Sequence, residues 1–543
     1  MIFSHITHQI GDVASIAMAS PYQSDALGCY QALDALSPYS LLLESAEIDS
    51  KDNLKTLLLI DAALRIECLG QRVSVNVTSD NGAPLLQFLA NAFADMPGVT
   101  LQSAARTLTL EFSRPDPLLD EASRLLVPTP LSVLRALQQG LTSQNDEPFA
   151  VFLGGVIGYD YVATAEALPE VPQGANQCPD YLFYVAETLL VIDHQQQAAR
   201  LVGNVFCGDN AMTSCFAIGK RLEQISAVLK TANGFVAPAV TAVSPTELKV
   251  DISDAAFVAQ VEALKHNIVA GDVFQVVPSR CFSLPCPSPL SAYARLKQQN
   301  PSPYMFLLKD PAFCLFGASP ESALKFNHAD RQVEIYPIAG TRRRGFNAQG
   351  GLDRDLDSRI ELELRQDEKE KAEHLMLVDL ARNDVARISV PGSRYVKELL
   401  KVDRYSYVMH LVSRVVGTLK ADLDALHAYQ ACMNMGTLVG APKVRAAELI
   451  RQVEGKRRGS YGGAVGYLAG NGDFDSCIVI RSAYCQDGMA YVQAGAGVVF
   501  DSVAQAEADE TRSKAQAVLS AILAAHAAPN PAAFVTTTQG ARP

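Results

Sequence analysis

The stretch GAVGYLAGNGDFDSCIVIRSAYCQDGMAYVQAGAGVVFDS, residues 463–502, decides the fold. It holds three β-rich runs separated by Asn471-Gly472 and Asp487-Gly488, dipeptides that two-residue hairpins favour because their central positions need positive φ. Turns this short force antiparallel neighbours, since a parallel pair needs a long crossover. The glycines here are therefore not a dinucleotide fingerprint, which requires strand, turn and helix in one βαβ unit. The expected fold is α/β in content, with large antiparallel β-sheets flanked by helices, and not a Rossmann fold.

The same reading extends outward. DAAFVAQVEALKHNIVAGDVFQVVPSR (254–280) gives an amphipathic helix, a stop at Gly271 and then a strand. Further upstream, LLLESAEIDS (41–50) is an apolar strand running into a polar turn. TLLLIDAALRIECLG (56–70) and the alternating RVSVNVTSD (72–80) follow it. Residues 231–250, rich in Ala, Pro, Thr and Val, form a linker or crossover between an N-terminal region (1–230) and a denser region (251–522). The last residues, 523–543, are poor in large apolar side chains and are expected to be a disordered tail.

Bulk properties narrow the function class. A chain of 543 residues is too long for one small core, and 48% hydrophobic with 19% charged residues is ordinary for a folded protein. A formal net charge of −12 disfavours general affinity for nucleic acid or an anionic membrane. The eleven cysteines include no C-x-x-C pair, so free thiols in a reducing compartment are expected. The N-terminus lacks a basic segment before an apolar run, and no apolar stretch is long enough to span a bilayer. The expectation is a cytoplasmic protein.

Several residues carry chemistry. Glu370 and Glu373, and Glu507 and Glu510, are i,i+3 pairs that share one face of a helix. Converging, they would supply hard oxygen ligands for Mg²⁺; apart, each is a solvated acidic face that Lys369, Lys371 or Lys514 neutralises. Arg481, inside the apolar run SCIVIRSAY, is either a carboxylate-binding guanidinium or an edge residue. The turn Ala494-Gly495-Ala496-Gly497 exposes backbone N–H groups to an anion or simply bends the sheet. His410 lies among apolar neighbours, where a hydrogen-bonded core histidine is the commoner role. The runs Arg342-Arg343-Arg344 and Lys456-Arg457-Arg458 read as solvated loops.

Taken together, GASPESALKF (317–326), YPIAGTRRRG (336–345), HLMLVDLARND (374–384), KVDRYSYVMHLVSRV (401–415), GTLVGAPKVRA (436–446) and QAGAGVVFDSVAQAEADETRSKA (493–515) resemble the chorismate-utilising enzyme family. The match covers residues 251–522 in the family's order, and parts of 10–210 resemble its N-terminal region. The resemblance implies Mg²⁺ on Glu373 and Glu510, with Glu370 and Glu507 nearby. It implies substrate contacts from Gly340, Thr341, Tyr461, Arg481, Gly495, Ala496, Gly497 and Lys514. Glu321 is implied as the general acid, His410 as the base and Thr437 as a supporting catalytic contact.

Two positions select the branch. Gln275 stands where water-using members carry lysine, and Ala339 stands where the para-aminobenzoate branch carries a nucleophilic lysine. Ammonia is thus the implied nucleophile, giving anthranilate and pyruvate from chorismate. The chain contains no glutaminase elbow, so a separate glutamine amidotransferase subunit is the expected ammonia source, in a heterotetramer. The resemblance also implies feedback inhibition by tryptophan, bound by Glu44, Ser45, Lys51, Asn300, Pro303, Tyr304 and Met305. Val439 departs from the family's usual serine.

Overall fold

The computed structural model describes residues 6–45, 54–116, 118–238, 242–347, 351–405 and 408–527. Its plan is set by two long strands, Lys55–Leu69 and Tyr181–Asp193, which pair with each other over their whole length. Their register shifts between Leu59 and Leu64, and such bulges bend a strand and let it pass from one sheet to another. On one side of the bend, Lys55–Leu69 continues through Ser40–Glu44, Tyr304–Lys309, Cys314–Ser319, Ser482–Gln486, Met489–Gly495 and Ser279–Pro285. On the other side, Tyr181–Asp193 continues through Phe152–Ile157, Ala464–Ala469, Phe474–Ile478, Ser322–Asn327, Gln332–Ile335 and Val408–Thr418. Every one of these pairings is antiparallel, as the hairpin signals require.

The two sheets face each other across a shared core. Leu57, Leu59, Phe152, Leu182, Phe306 and Leu315 fill the space between them. Leu58 and Ile60 point the other way, into a cluster with Ile218, Tyr293 and Leu519 from the helices covering the first sheet. This double burial explains why 56–60 reads as an unbroken apolar run instead of an alternating one. Helices on the outer face of the second sheet, including Glu368–Ile388, close the opposite side. The result is a helix–sheet–sheet–helix sandwich.

Both sheets draw strands from the regions before residue 230 and after 251, through the Ser40–Glu44 and Phe152–Ile157 ladders. Between those regions, a 3₁₀ turn at Pro245–Glu247 leads into Lys249–Val250, which pairs with Ser279–Pro285. The final helix runs from Ala504 to Ala525 and is followed by the buried His526. That helix therefore enters the stretch read as a tail, whose residues 528–543 lie outside those described. Among the described residues no helix is long and apolar enough to cross a membrane.

One sequence expectation is corrected. The middle β-run of 463–502 is not one strand but two, Phe474–Ile478 in the second sheet and Ser482–Gln486 in the first. Apolar residues flank the break, so hydrophobicity alone gives no sign of it.

Candidate active site

The chain passes between the two sheets at two adjacent places. Cys314–Ser319 leads through Pro320 and Glu321 into Ser322–Asn327, and Phe474–Ile478 leads through Val479, Ile480 and Arg481 into Ser482–Gln486. The Ile478 N–H donates to the Glu321 carbonyl at 3.0 Å, and the Ala318 N–H donates to the Arg481 carbonyl at 3.1 Å. The crossovers are thereby locked together. Arg481 has φ of 50°, a left-handed conformation that costs a non-glycine residue about 1 kcal/mol or more and is typically held at functional positions.

A cavity of about 440 Å³ opens beside these crossovers. Glu321, His410 and Thr437 line it, as do Gly340, Thr341, Tyr461, Arg481, Gly495, Gly497 and Lys514. Ala496 does not; it is buried, and its N–H donates to the Pro278 carbonyl at 3.1 Å. Among the described residues Arg481 forms no ion pair with a carboxylate, so an anion entering the cavity meets an uncommitted guanidinium. Lys514 donates to the Gly495 carbonyl at 3.1 Å and pairs with Glu510 at 2.6 Å. Gly340 has φ of 79°, and a side chain added there would lie 3.2 Å from Glu370 Oε2, so this turn of the wall needs glycine.

Two ionisable groups on the wall are displaced in opposite directions. Burial pushes the Glu321 carboxyl up to about 8, against a hydrogen bond from Thr437 and the charges of Lys514 and Arg481. Burial, then the Arg481 charge, lowers His410 to about 4. His410 Nδ1 lies 2.9 Å from Thr341 Oγ1, and Tyr405 packs edge-on against the ring at 5.1 Å. The tautomer that donates from Nδ1 leaves Nε2 as the unprotonated nitrogen. Near neutral pH the carboxyl holds a proton and the imidazole does not, which is the division of labour of a general acid and a general base.

Glu370 sits in the first turn of helix Glu368–Ile388 and Glu507 in that of helix Ala504–Ala525, where a helix N-terminus favours a carboxylate. Glu373 and Glu510 lie about one turn further on, and all four reach the cavity. Arg342 engages Glu370 at 2.8 Å, whereas neither Glu373 nor Glu507 forms an ion pair among the described residues. Burial raises both, and the neighbouring carboxylates, Glu510 in each case, raise them further. Lys369 works against this on both, as do a Ser502 hydrogen bond and the Lys514 charge on Glu507. Hard oxygen donors of this kind fit Mg²⁺, which takes one or two carboxylates and completes its shell with water and substrate. Among the described residues no group of three or more His, Cys, Asp or Glu side chains is close enough to hold a metal ion by itself.

The residues expected around tryptophan are gathered only in part. Glu44 lies directly across from Met305 in the ladder, and Tyr293 donates to its carboxylate at 2.6 Å while Lys297 pairs with it. Ser45 follows Glu44, and Asn300 ends helix Pro289–Gln299 nearby in sequence to Pro303. Tyr304 precedes Met305 in the strand and so faces the opposite side; its hydroxyl donates to Asp475 at 3.3 Å. Lys51 lies outside the described residues. Tyr293 and Lys297, which hold the Glu44 carboxylate, carry no local sequence pattern that marks them as its partners.

The basic runs are not solvated loops. Arg342 binds Asp367 and Glu370, and Arg344 binds Asp357 and the Tyr405 carbonyl. Arg457 pairs with Asp180, and Arg458 is 1% exposed. Acidic partners, from Glu454 one helical turn away to Asp180 far along the chain, take these guanidinium groups inward, while Arg343 stays exposed. Val439, which the resemblance puts near the pocket, sits away from the cavity. It is packed in a core cluster with Tyr159 and Val276.

Residues 101–520 match the family of chorismate binding enzymes. Anthranilate synthase component 1 of Vibrio cholerae is 60% identical over 506 residues, covering 93% of this chain and 95% of that relative. The protein of the same name from Escherichia coli is 56% identical over 507 residues, covering 93% and 96%. Among solved structures, anthranilate synthase component I of Streptococcus pneumoniae aligns with a TM-score of 0.64 at 30% identity, over 87% of this chain and 94% of that one.

Proposed function

The chain belongs to the family of chorismate-binding enzymes, and from that premise we propose that it converts chorismate and ammonia to anthranilate, pyruvate and water, the first step of tryptophan biosynthesis. What supports the reading is one cavity lined by Glu321, bonded by Thr437, and His410, bonded by Thr341, beside the uncommitted Arg481, with burial shifting the carboxyl up and the imidazole down.

Arg481, Tyr461 and Lys514 bind and orient the substrate's carboxylates. Ammonia adds to the ring as the ring hydroxyl departs, and Glu321 delivers the proton that lets it leave as water. His410 then takes the ring C–H proton as the ring C–O bond to the enolpyruvyl group breaks and the ring becomes aromatic. The departing enolpyruvate takes up a proton on its methylene carbon, the equivalent of the one His410 removed, to become pyruvate. Thr437 holds the Glu321 carboxyl and Thr341 holds the His410 ring. Gln275 and Ala339 add no amine at the positions where other branches use lysine. Glu373 and Glu510 would hold Mg²⁺, with Glu370 and Glu507 beside them; when bound, it neutralises a substrate carboxylate.

The reading extends to partners and regulation. Ammonia comes from a separate glutamine amidotransferase component, in a cytoplasmic heterotetramer, and tryptophan inhibits through the Glu44 and Met305 region. Anthranilate fluorescence tests the core of this, using purified chain, chorismate, Mg²⁺ and ammonium. Anthranilate and pyruvate should form together and stop on chelation or on adding tryptophan. Chorismate loss without pyruvate would replace this reading with formation of an aminodeoxychorismate.

A further inference from the structure

Arg458, from the run read in the sequence as a solvated loop, is the largest departure from expectation near the cavity. Its side chain is 1% exposed, and that of its partner Glu454 is 0% exposed. The guanidinium meets Glu454 through Nε at 3.0 Å and Nη2 at 2.6 Å. Its remaining donors go to backbone: Nη1 to the Leu438 carbonyl at 2.8 Å and Nη2 to the Val277 carbonyl at 2.6 Å. The same group lies 5.6 Å from the centre of the Tyr461 ring and 4.6 Å from that of Tyr159.

Three of these contacts, Leu438, Val277 and Tyr461, end on the cavity wall, whereas Glu454 and Tyr159 stand behind it. Thr437, which precedes Leu438, donates to the Glu321 carboxyl at 3.0 Å. Glu454 Oε1 also accepts from the Ser279 N–H and hydroxyl, both at 2.8 Å, and Ser279 pairs with Gly495 in the ladder. One fork thus ties two segments remote in sequence, at Leu438 and at residues 277–279, to the 454–461 stretch, and each of the three contributes a residue to the cavity lining.

We propose that the buried Arg458–Glu454 pair is a positioning device, a clamp that fixes Thr437 and hence Glu321 relative to the Tyr461 and Gly495 side of the cavity. A planar fork with several fixed donors can do this, and a lysine cannot, because its ammonium is a point charge without the fork's geometry. The control is Arg451, in the same helix Lys443–Glu454. It is 6% exposed and donates to Asp160 at 2.8 Å and to the Pro169 carbonyl at 2.8 Å, and neither partner lines the cavity.

The inference rests on the proposed activity, so wild-type anthranilate formation is measured first; its absence counts against that activity, and the clamp is then judged by chorismate binding calorimetry on the same variants. With activity present, Arg458→Lys and Arg451→Lys are compared for melting temperature, kcat and KM. The expected result is a fall in kcat of roughly 10- to 100-fold for R458K with KM for chorismate changed less than about threefold, since small displacements of catalytic groups cost that much. R451K should lose melting temperature but keep kcat within about twofold. If R458K fails to fold, Glu454→Gln, which keeps the shape and weakens the fork, takes its place. Equal kcat in R458K (or E454Q) and wild type, or kcat losses that merely follow melting temperature in both arginine variants, would overturn the proposal. In calorimetry, a chorismate Kd raised about two- to threefold by R458K and unchanged by R451K supports it, and equal binding by both variants overturns it.

Discussion

Thr437 donates a hydrogen bond to the Glu321 carboxyl at 3.0 Å, from a segment far along the chain from the crossover that carries the acid. That bond favours the ionised carboxylate and so works against the burial that raises it to about 8. The pair sets where the acid titrates.

Replacing Glu321 by Gln removes the transferable proton and keeps the shape. The expected loss is about 10²- to 10⁴-fold in kcat, with KM for chorismate little changed, measured by steady-state anthranilate fluorescence. A variant within threefold of wild type would remove Glu321 from the chemistry.

The pH profile follows from the two displaced groups. Glu321 is protonated and competent below about 8, and His410 is neutral and competent above about 4. The rate per unit of unprotonated ammonia should therefore rise through about 4 and fall above about 8. Thr437→Val deletes the bond that favours the carboxylate, so its alkaline limb should move to higher pH. A limb that moves down, or stays, would contradict the assignment.

His410 is oriented through Thr341 Oγ1 at 2.9 Å. Thr341→Val should lower kcat by roughly tenfold as the ring loses its preferred tautomer. His410→Gln should go further and uncouple the steps, so that chorismate is consumed while pyruvate release stops. Chromatography of the products, with pyruvate assayed enzymatically, reads both.

Arg481 is uncommitted and held by the locked crossovers. Arg481→Met should raise KM for chorismate about 10- to 100-fold, the loss expected for charge-assisted hydrogen bonds of about 1.5–3 kcal/mol. Its melting temperature should hold or rise, because a half-buried guanidinium without an ion pair is removed. A collapse in stability with unchanged KM would make Arg481 a structural residue.

Leu59 sits between the sheets at the start of the bend in Lys55–Leu69, with 0% exposure. Leu59→Ala should cost about 2–5 kcal/mol, seen as a lower midpoint in urea unfolding, with the cavity residues untouched.

The sequence by itself determined the antiparallel character of the sheets, through Asn471-Gly472 and Asp487-Gly488, and the pairing of carboxylates on helical faces, through i,i+3 spacing. Turn chemistry and helical periodicity are local, so they are written in neighbouring residues. The family motifs likewise pointed to Glu321, His410 and Arg481, which the cavity brings together. Only the tertiary structure decided that the run 474–486 divides between two sheets, that Tyr304 and Met305 face opposite ways, that Val439 is packed away from the cavity and that Arg458 is buried. Those outcomes depend on which distant strand pairs with which, and on desolvation by residues remote in the chain. Burial then set the protonation of Glu321 and His410, and no local pattern encodes it.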